Sequence, residues 1–192
     1  MRLQTATSAR NAAGIPNDHR HVVQFYEDDE FLFEAVSGFL IQGLNAGQPT
    51  MVFARPETRR ACATRLERNG CDYSGAIQSG RLVVRDAREA LATFMRGSML
   101  DETRFINEVG TVVEKVSAGN NMKVRAYGEM VDVLFRDGNA QAALRLEELW
   151  NKLAQEHAFE LLCAYSINNF YTETHAHHLK EICRTHSHVV PA

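Results

Sequence analysis

The chain has 192 residues, 45% of them hydrophobic and 23% charged, a balance that suits a globular domain with a sizeable core. A net charge of -3 leaves no basic footprint for nucleic acid, and the acidic excess is too small to mark a disordered, solvating tail. No stretch approaches the roughly 20 apolar residues that cross a bilayer, and the N-terminus lacks an apolar signal core, so no membrane association and a cytoplasmic location are expected.

Residues 1–18 are polar, include Gly14 and Pro16, and carry no sustained periodicity; they read as a flexible arm before a domain spanning 19–192. His21 to Tyr26 (HVVQFY) is a β-type run. Asp28 and Asp29 can cap the helix after it, whose buried face is Phe31, Leu32, Ala35, Val36, Phe39, Leu40 and Leu44. Gly47 is placed to end that helix. Met51 to Ala54 is the next strand, and Pro56 opens a helix that runs to Gly70. Residues 71–80 read as a short turn or helix, and Arg81 to Asp86 as a third strand. Helical pattern covers 87–95, breaks near Gly97, and resumes over 101–118. Met122 to Tyr127 is a fourth strand. A short helix over 130–135 ends at Gly138, and a longer one over 140–156 carries Ala143, Leu146, Leu149, Trp150 and Leu153 on its apolar stripe. Phe159 to Tyr165 (FELLCAY) is apolar on both faces, which predicts an interior strand. A last helix is expected over 168–185.

Strands alternating with helices predict a three-layer α/β fold with a mainly parallel sheet of five or more strands. Ligands of such sheets sit beyond the carboxyl ends of the strands. That rule singles out Tyr26 to Asp28, Arg55, Asp86, Gly128, Glu129 and Ser166 to Asn169.

The segments HVVQFYEDDEFL, GLNAGQPTMVFARPETR, GRLVVRDA, RAYGEMVDVLF, GNAQAALRLEELWN and FELLCAYSINNF resemble, in order and spacing, the MEDS domain. This sensory domain is named for methanogens, methylotrophs and the regulator DcmR. The likeness covers nearly everything after the N-terminal arm, and the closing HSHVVPA is similar to the family's usual end. It implies a RecA/KaiC-like fold, a role in sensing small hydrocarbon derivatives, and association with histidine kinase or DNA-binding modules. An ATPase of that ancestry would carry G-x-x-x-x-G-K-[ST] after its first strand, with glycines and a lysine to cradle phosphates. Here Tyr26 is followed by Glu27, Asp28, Asp29 and Glu30, four carboxylates with no glycine or lysine. Standard P-loop binding of ATP is therefore not expected.

Four candidate regions follow. Strand alternation puts His21, Val23 and Phe25 on one face and Val22, Gln24 and Tyr26 on the other; Tyr26 ends its strand at the expected crevice, whereas Phe25 and His21 are equally explained by packing. Glu129 lies just past a strand, with Gly128 permitting close backbone approach. It reads as a pocket carboxylate, as the partner of Arg55 or Arg125, or as a cap on the next helix. Tyr165 to Phe170 offers aromatic walls and the polar Ser166, Asn168 and Asn169, as a small-molecule site requires, although aromatics at strand ends more often pack. His175, His177, His178, His186 and His188 cluster near the end, but no H-E-x-x-H motif or cysteine pair accompanies them, so they read as surface histidines and no metal site is expected. Cys62, Cys71, Cys163 and Cys183 include no C-x-x-C pair and read as free thiols, Cys163 being a small hydrophobe in an apolar run. Trp150 is explained by packing. Glu147 is left to pair with a buried arginine or with a partner protein.

The leading expectation is a non-catalytic sensory domain that needs no cofactor and binds a small, partly apolar ligand. The expected ligand-binding set is His21, Phe25, Tyr26, Arg55, Asp86, Tyr127, Glu129, Tyr165 and Asn168. Tyr26, Arg55, Asp86, Glu129 and Tyr165 are expected to line one pocket. The chain ends soon after the domain, so output is expected through a separate histidine kinase or transcription regulator, or through a homodimer, and not by direct contact with nucleic acid. Two alternatives stand beside this reading. One is an enzyme using Glu129 and His21 as acid and base. The other is an interaction module whose crevice is closed by Phe25, Tyr127 and Phe170.

Overall fold

The computed structural model describes residues 21–117, 123–171 and 173–192, without the side chains of 173–175; the N-terminal arm read from the sequence lies outside the described residues. The strands are β1 (His21–Tyr26), β2 (Thr50–Ala54), β3 (Leu82–Asp86), β4 (Met95–Arg96), β5 (Met99–Leu100), β6 (Val124–Gly128), β7 (Phe159–Ser166) and β8 (His188–Val190). The helices are α1 (Asp29–Asn45), α2 (Pro56–Arg68), α3 (Tyr73–Gln78), α4 (Ala87–Phe94), α5 (Glu102–Phe105), α6 (Thr111–Ser117), α7 (Met130–Arg136), α8 (Ala140–Glu156) and α9 (Glu173–Thr185). A π-helical turn (Ile106–Gly110) joins α5 to α6, and a 3-10 turn (Ile167–Phe170) follows β7.

Six strands form an all-parallel sheet in the order β3-β2-β6-β7-β1-β8, while β4 and β5 make a separate antiparallel hairpin. The FELLCAY strand is interior, between β6 and β1, and every residue of β7 is buried. One helical layer, α1 with α2 and α3, covers Val22, Tyr26, Val52, Tyr127, Leu162 and Ala164. The opposite layer, from α4 to α9, covers Val23, Phe25, Phe53, Leu161, Cys163 and Tyr165. The alternation read in β1 therefore holds, with Val23 and Phe25 on one face and Val22 and Tyr26 on the other.

The capping residues act as their chemistry requires. The Asp28 carboxylate accepts from the Phe31 backbone N–H at 2.8 Å, and Pro56 occupies the first turn of α2. Asp86 accepts from the N–H groups of Arg88 and Glu89 at 2.9 and 3.1 Å and starts α4. Gly47 and Gly138 follow α1 and α7 with φ of 73° and 78°, a conformation that glycine adopts without a Cβ clash.

Several elements differ from the sequence reading. The helix expected over 101–118 is interrupted by the π-helical turn, and the one expected from 168 begins as the 3-10 turn. The β4–β5 hairpin and β8 have no counterpart among the expected elements. Both are too short to carry a periodic signal; β8 is defined by its pairing of Val22 with His188, Val23 with Val189 and Gln24 with Val190. The fourth strand begins at Val124, and Met122 lies outside the described residues.

Near the amino ends of the strands, Arg125 is buried against α1. Its guanidinium lies 4.5 Å from the Phe39 ring centre and Nη1 donates to the Phe39 carbonyl at 2.6 Å, with Glu160 3.5 Å away. A Cβ on Gly43 would fall 2.5 Å from Arg125 Cδ and 3.4 Å from Thr50 Oγ1. Alanine favours a helix over glycine by about 1 kcal/mol, but overpacking a buried contact costs about 1–3 kcal/mol. Gly43→Ala is therefore expected to lower the urea midpoint; a raised midpoint would show that Arg125 moves aside freely.

Candidate functional site

At the carboxyl ends of the strands, the crevice is closed by the chain's own carboxylates. Glu129, fully buried after β6, accepts from the Arg55 backbone N–H and from Arg55 Nε, both at 2.7 Å, and from Thr58 Oγ1 at 3.0 Å. Burial pushes its carboxyl upward, and the Arg55 and Thr58 donors work against that rise. The sequence left Arg55 and Arg125 as alternative partners. Arg55 is the partner, because Arg125 lies near the other end of the sheet with Glu160.

Asp132 plays the same part beside β1 and β7. Tyr26 Oη donates to Asp132 Oδ2 at 2.9 Å and Arg136 Nε to the same oxygen at 2.6 Å, while Arg136 Nη2 also donates to Tyr26 Oη at 2.8 Å. The other oxygen accepts from the Ser166 N–H at 3.1 Å and Asn169 Nδ2 at 2.9 Å. Burial, then the Asp132 charge, raises the Tyr26 phenol well above its ordinary range. Neither Asp132 nor Arg136 was singled out in the sequence. The available signal was their i,i+4 spacing on a helix immediately after Glu129.

The expected common pocket of five residues is not assembled. Tyr26, Arg55 and Glu129 belong to the crevice just described, whereas Tyr165 faces the opposite helical layer and donates to Glu147 Oε1 at 2.9 Å. Successive residues of adjacent strands alternate faces, so arrival at the same end of the sheet did not bring them to the same side. Asp86 caps α4 and pairs with Arg59 at 2.7 Å. Tyr127 is buried in the layer of Tyr26, while Phe25 meets Phe170 edge-on at 5.8 Å in the other; those three aromatics do not close one crevice together. Asn168 Nδ2 donates to the Glu27 carbonyl at 3.3 Å. His21 opens β1 and Glu129 follows β6, so the acid–base pair considered from the sequence lies at opposite ends of the sheet.

Elsewhere among the described residues there are a cleft near this end of the sheet, hollows away from it at Lys123 with residues 154–159 and at Met99 with residues 141–148, and a buried cluster of ionisable groups. The cleft, of about 320 Å³, opens beside the carboxyl ends of β2 and β3, on the side of α4. Its apolar wall includes Phe53, Phe94, Val109 and Val112, and its polar groups are Arg85, Asp86, Glu89, Thr93 and Glu108. Val109 and Glu108 come from the π-helical turn, a local widening frequent at functional sites. Asp86 is the only residue of the expected set that borders it.

The buried cluster of ionisable side chains consists of His21, Glu147, Cys163 and His186. His21 Nε2 lies 3.1 Å from Glu147 Oε2 and 3.4 Å from Cys163 Sγ, and His186 Nε2 lies 3.4 Å from the same carboxylate oxygen. The sequence reading placed His186 on the surface and left Glu147 to an arginine or a partner protein. Instead Glu147 is held by two histidines, because α8 and the turn after α9 pack over the same part of β1 and β7.

The fold and these sites define a three-layer α/β domain with an all-parallel sheet, whose loop after the first strand is acidic and self-capped. The sequence profile of MEDS, the MEthanogen/methylotroph, DcmR Sensory domain, matches residues 20–187, and the chain belongs to this family. No curated protein matches it. Among solved structures, an uncharacterized protein from Pyrococcus horikoshii, in complex with an unknown peptide, is similar at a TM-score of 0.65 with 12% identity. The match covers 95% of this chain and 80% of that one, and at this identity it shows the fold alone. No helix among the described residues is long and apolar enough to cross a membrane.

Breaking a buried ion pair by removing one member costs about 3–5 kcal/mol, because the remaining charge is stranded. Glu129→Ala is thus expected to destabilise the fold by that order in urea denaturation, and Arg55→Met combined with Glu129→Leu by distinctly less. Equal losses in the single and double variants would show that the pair is not what holds this corner.

Proposed function

We propose that the domain is a non-catalytic sensor that takes a small, partly apolar molecule into the cleft beside β2 and β3 and reports its occupancy to a separate signalling protein, such as a histidine kinase or a transcription regulator. The observation that carries this reading is the cleft itself. About 320 Å³ is at the small end of ligand pockets, and its mixture of Phe53, Phe94, Val109 and Val112 with Asp86, Thr93 and Glu108 fits a hydrocarbon derivative bearing one polar group. Membership of a sensory-domain family supports the same reading.

The rest of the carboxyl-end crevice supports it by exclusion of a nucleotide. The Phe31 N–H at the α1 N-terminus is met by Asp28, with Glu27, Asp29 and Glu30 around it, so a triphosphate would face carboxylates there. Ligand binding would alter the wall formed by the π-helical turn. Such a turn has a nearby alternative in regular helix, which gives the ligand two arrangements to choose between.

Native mass spectrometry of the protein purified from its own host, followed by thermal-shift screening with small alcohols, amines and haloalkanes, tests the proposal. A ligand at 100 times its Kd adds about 2.7 kcal/mol of stability and a corresponding rise in Tm. Ala90, on the cleft wall, is half-buried. Ala90→Phe is expected to fill the space and abolish the rise while leaving the unliganded Tm within a few degrees. A ligand response that survives Ala90→Phe would place the binding site elsewhere.

A further inference from the structure

The buried group on the α8 side of the sheet has features that a hydrogen-bond network alone does not explain. His21 and Cys163 come from adjacent strands, Glu147 from α8, and His186 from the turn between α9 and β8. All four are buried, and one donor atom from each lies within 4.8 Å of every other.

The histidine tautomers follow from their outer contacts. His186 Nδ1 lies 2.6 Å from the Ile182 carbonyl, which can only accept, so Nδ1 carries the proton. Asn151 Nδ2 donates to the Thr185 carbonyl at 2.8 Å, which turns the Asn151 oxygen toward His21 Nδ1 at 2.8 Å and puts the proton there too. In the neutral form of the rings both Nε2 atoms would present lone pairs to the same interior point, where they meet a carboxylate and a thiol. His186 Nε2 is buried, with Glu147 Oε2 3.4 Å away. Lone pairs of neutral imidazoles converging beside a carboxylate repel one another unless a proton or a cation lies between them.

We propose that His21, Glu147, Cys163 and His186 bind one borderline divalent transition-metal ion, with zinc the best fit. Two imidazoles, a thiolate and a carboxylate are zinc ligands, and four protein ligands complete a tetrahedral structural site. Ligands about 2.0–2.3 Å from zinc stand about 3.3–3.7 Å apart along a tetrahedral edge. The separations of 3.1, 3.4, 3.4 and 3.4 Å around Glu147 and His21 already approach this. On binding, Cys163 loses its thiol proton to solvent and an S–metal bond replaces S–H. The dication, thiolate and carboxylate then sum to zero charge, which is what a buried site needs.

The supporting contacts are those of a metal site as well. Each histidine donates its other ring N–H to an oxygen, and Tyr165 Oη donates to the second oxygen of Glu147 at 2.9 Å. The ion would tie the start of β1, where the Ser187 hydroxyl also donates to the His21 carbonyl at 2.7 Å, to the segment that carries β8. This site is separate from the cleft beside β2 and β3, so either proposal can fail alone.

The test uses the full chain without a polyhistidine tag, stripped by chelator under mild denaturant and refolded with zinc or cobalt(II). Elemental analysis after exhaustive dialysis is expected to give one zinc per chain. Cobalt is expected to give intense visible ligand-field bands of a tetrahedral site and a thiolate charge-transfer band in the near ultraviolet. Cys163→Ser should abolish the charge-transfer band, and Asn151→Leu, which removes a partner of His21 rather than a ligand, should weaken affinity about 10–100-fold. His177→Gln, at an exposed histidine, should change neither stoichiometry nor spectrum. Should Cys163→Ser not fold, the wild-type cobalt spectrum decides by itself. Metal that dialyses away, a cobalt spectrum without the thiolate band, or stoichiometry that falls with His177→Gln would overturn the proposal.

Discussion

Strand β7 has no face on water, and the neighbouring structure answers to that constraint. A central parallel strand must be covered by helices on both sides, so its residues are either apolar or supplied with partners from those helices. Leu161, Leu162 and Ala164 satisfy the requirement by packing. Tyr165 and Cys163 do so by meeting Glu147 of α8, and the backbone N–H of Ser166 does so by meeting Asp132 of α7. Two carboxylates that would be intolerable in an apolar interior are thereby kept there, each surrounded by donors or by imidazoles.

The carboxylates also set the character of the crevice. In a parallel α/β sheet the carboxyl ends of the strands are where a bound phosphate or other anion would be met by helix N-termini. Here Asp28 takes the Phe31 N–H of α1, Asp86 takes those of Arg88 and Glu89 in α4, Glu129 takes the Arg55 N–H, and Asp132 takes that of Ser166. The protein supplies its own anions at these positions. What remains open is the cleft on the α4 side, with apolar walls from Phe53, Phe94 and the π-helical turn. What such an end of the sheet can bind is set by these side chains and not by the architecture, because function resides in the site.

The aromatic side chains divide the interior unevenly. Trp150 stacks edge-on against Phe105 at 5.3 Å, and Phe105 meets Phe94 at the same distance, so α8, α5 and α4 share one packed cluster behind the cleft. Of that cluster, Phe94 reaches the wall of the cleft. Its front comes from the π-helical turn, where the regular hydrogen-bond ladder is already interrupted.

The sequence by itself determined the layered parallel fold, the interior place of FELLCAY and the family. Those depend on local signals: strand runs bounded by turn residues, caps at Asp28, Asp86 and Pro56, and motifs that keep their order along the chain. It also showed that Glu27 to Glu30 are four carboxylates with no glycine or lysine among them, since residue type alone settles that. The sequence did not give the side of the sheet on which each strand-end residue emerges, so Tyr26 and Tyr165 were grouped although they point into different layers. Nor did it give the company of His186, which by spacing belonged with His177 and His178. Tertiary structure decided both, because the facing of a side chain depends on strand register, and the meeting of His21 with His186, 165 positions later, depends on how α9 returns the chain to β1.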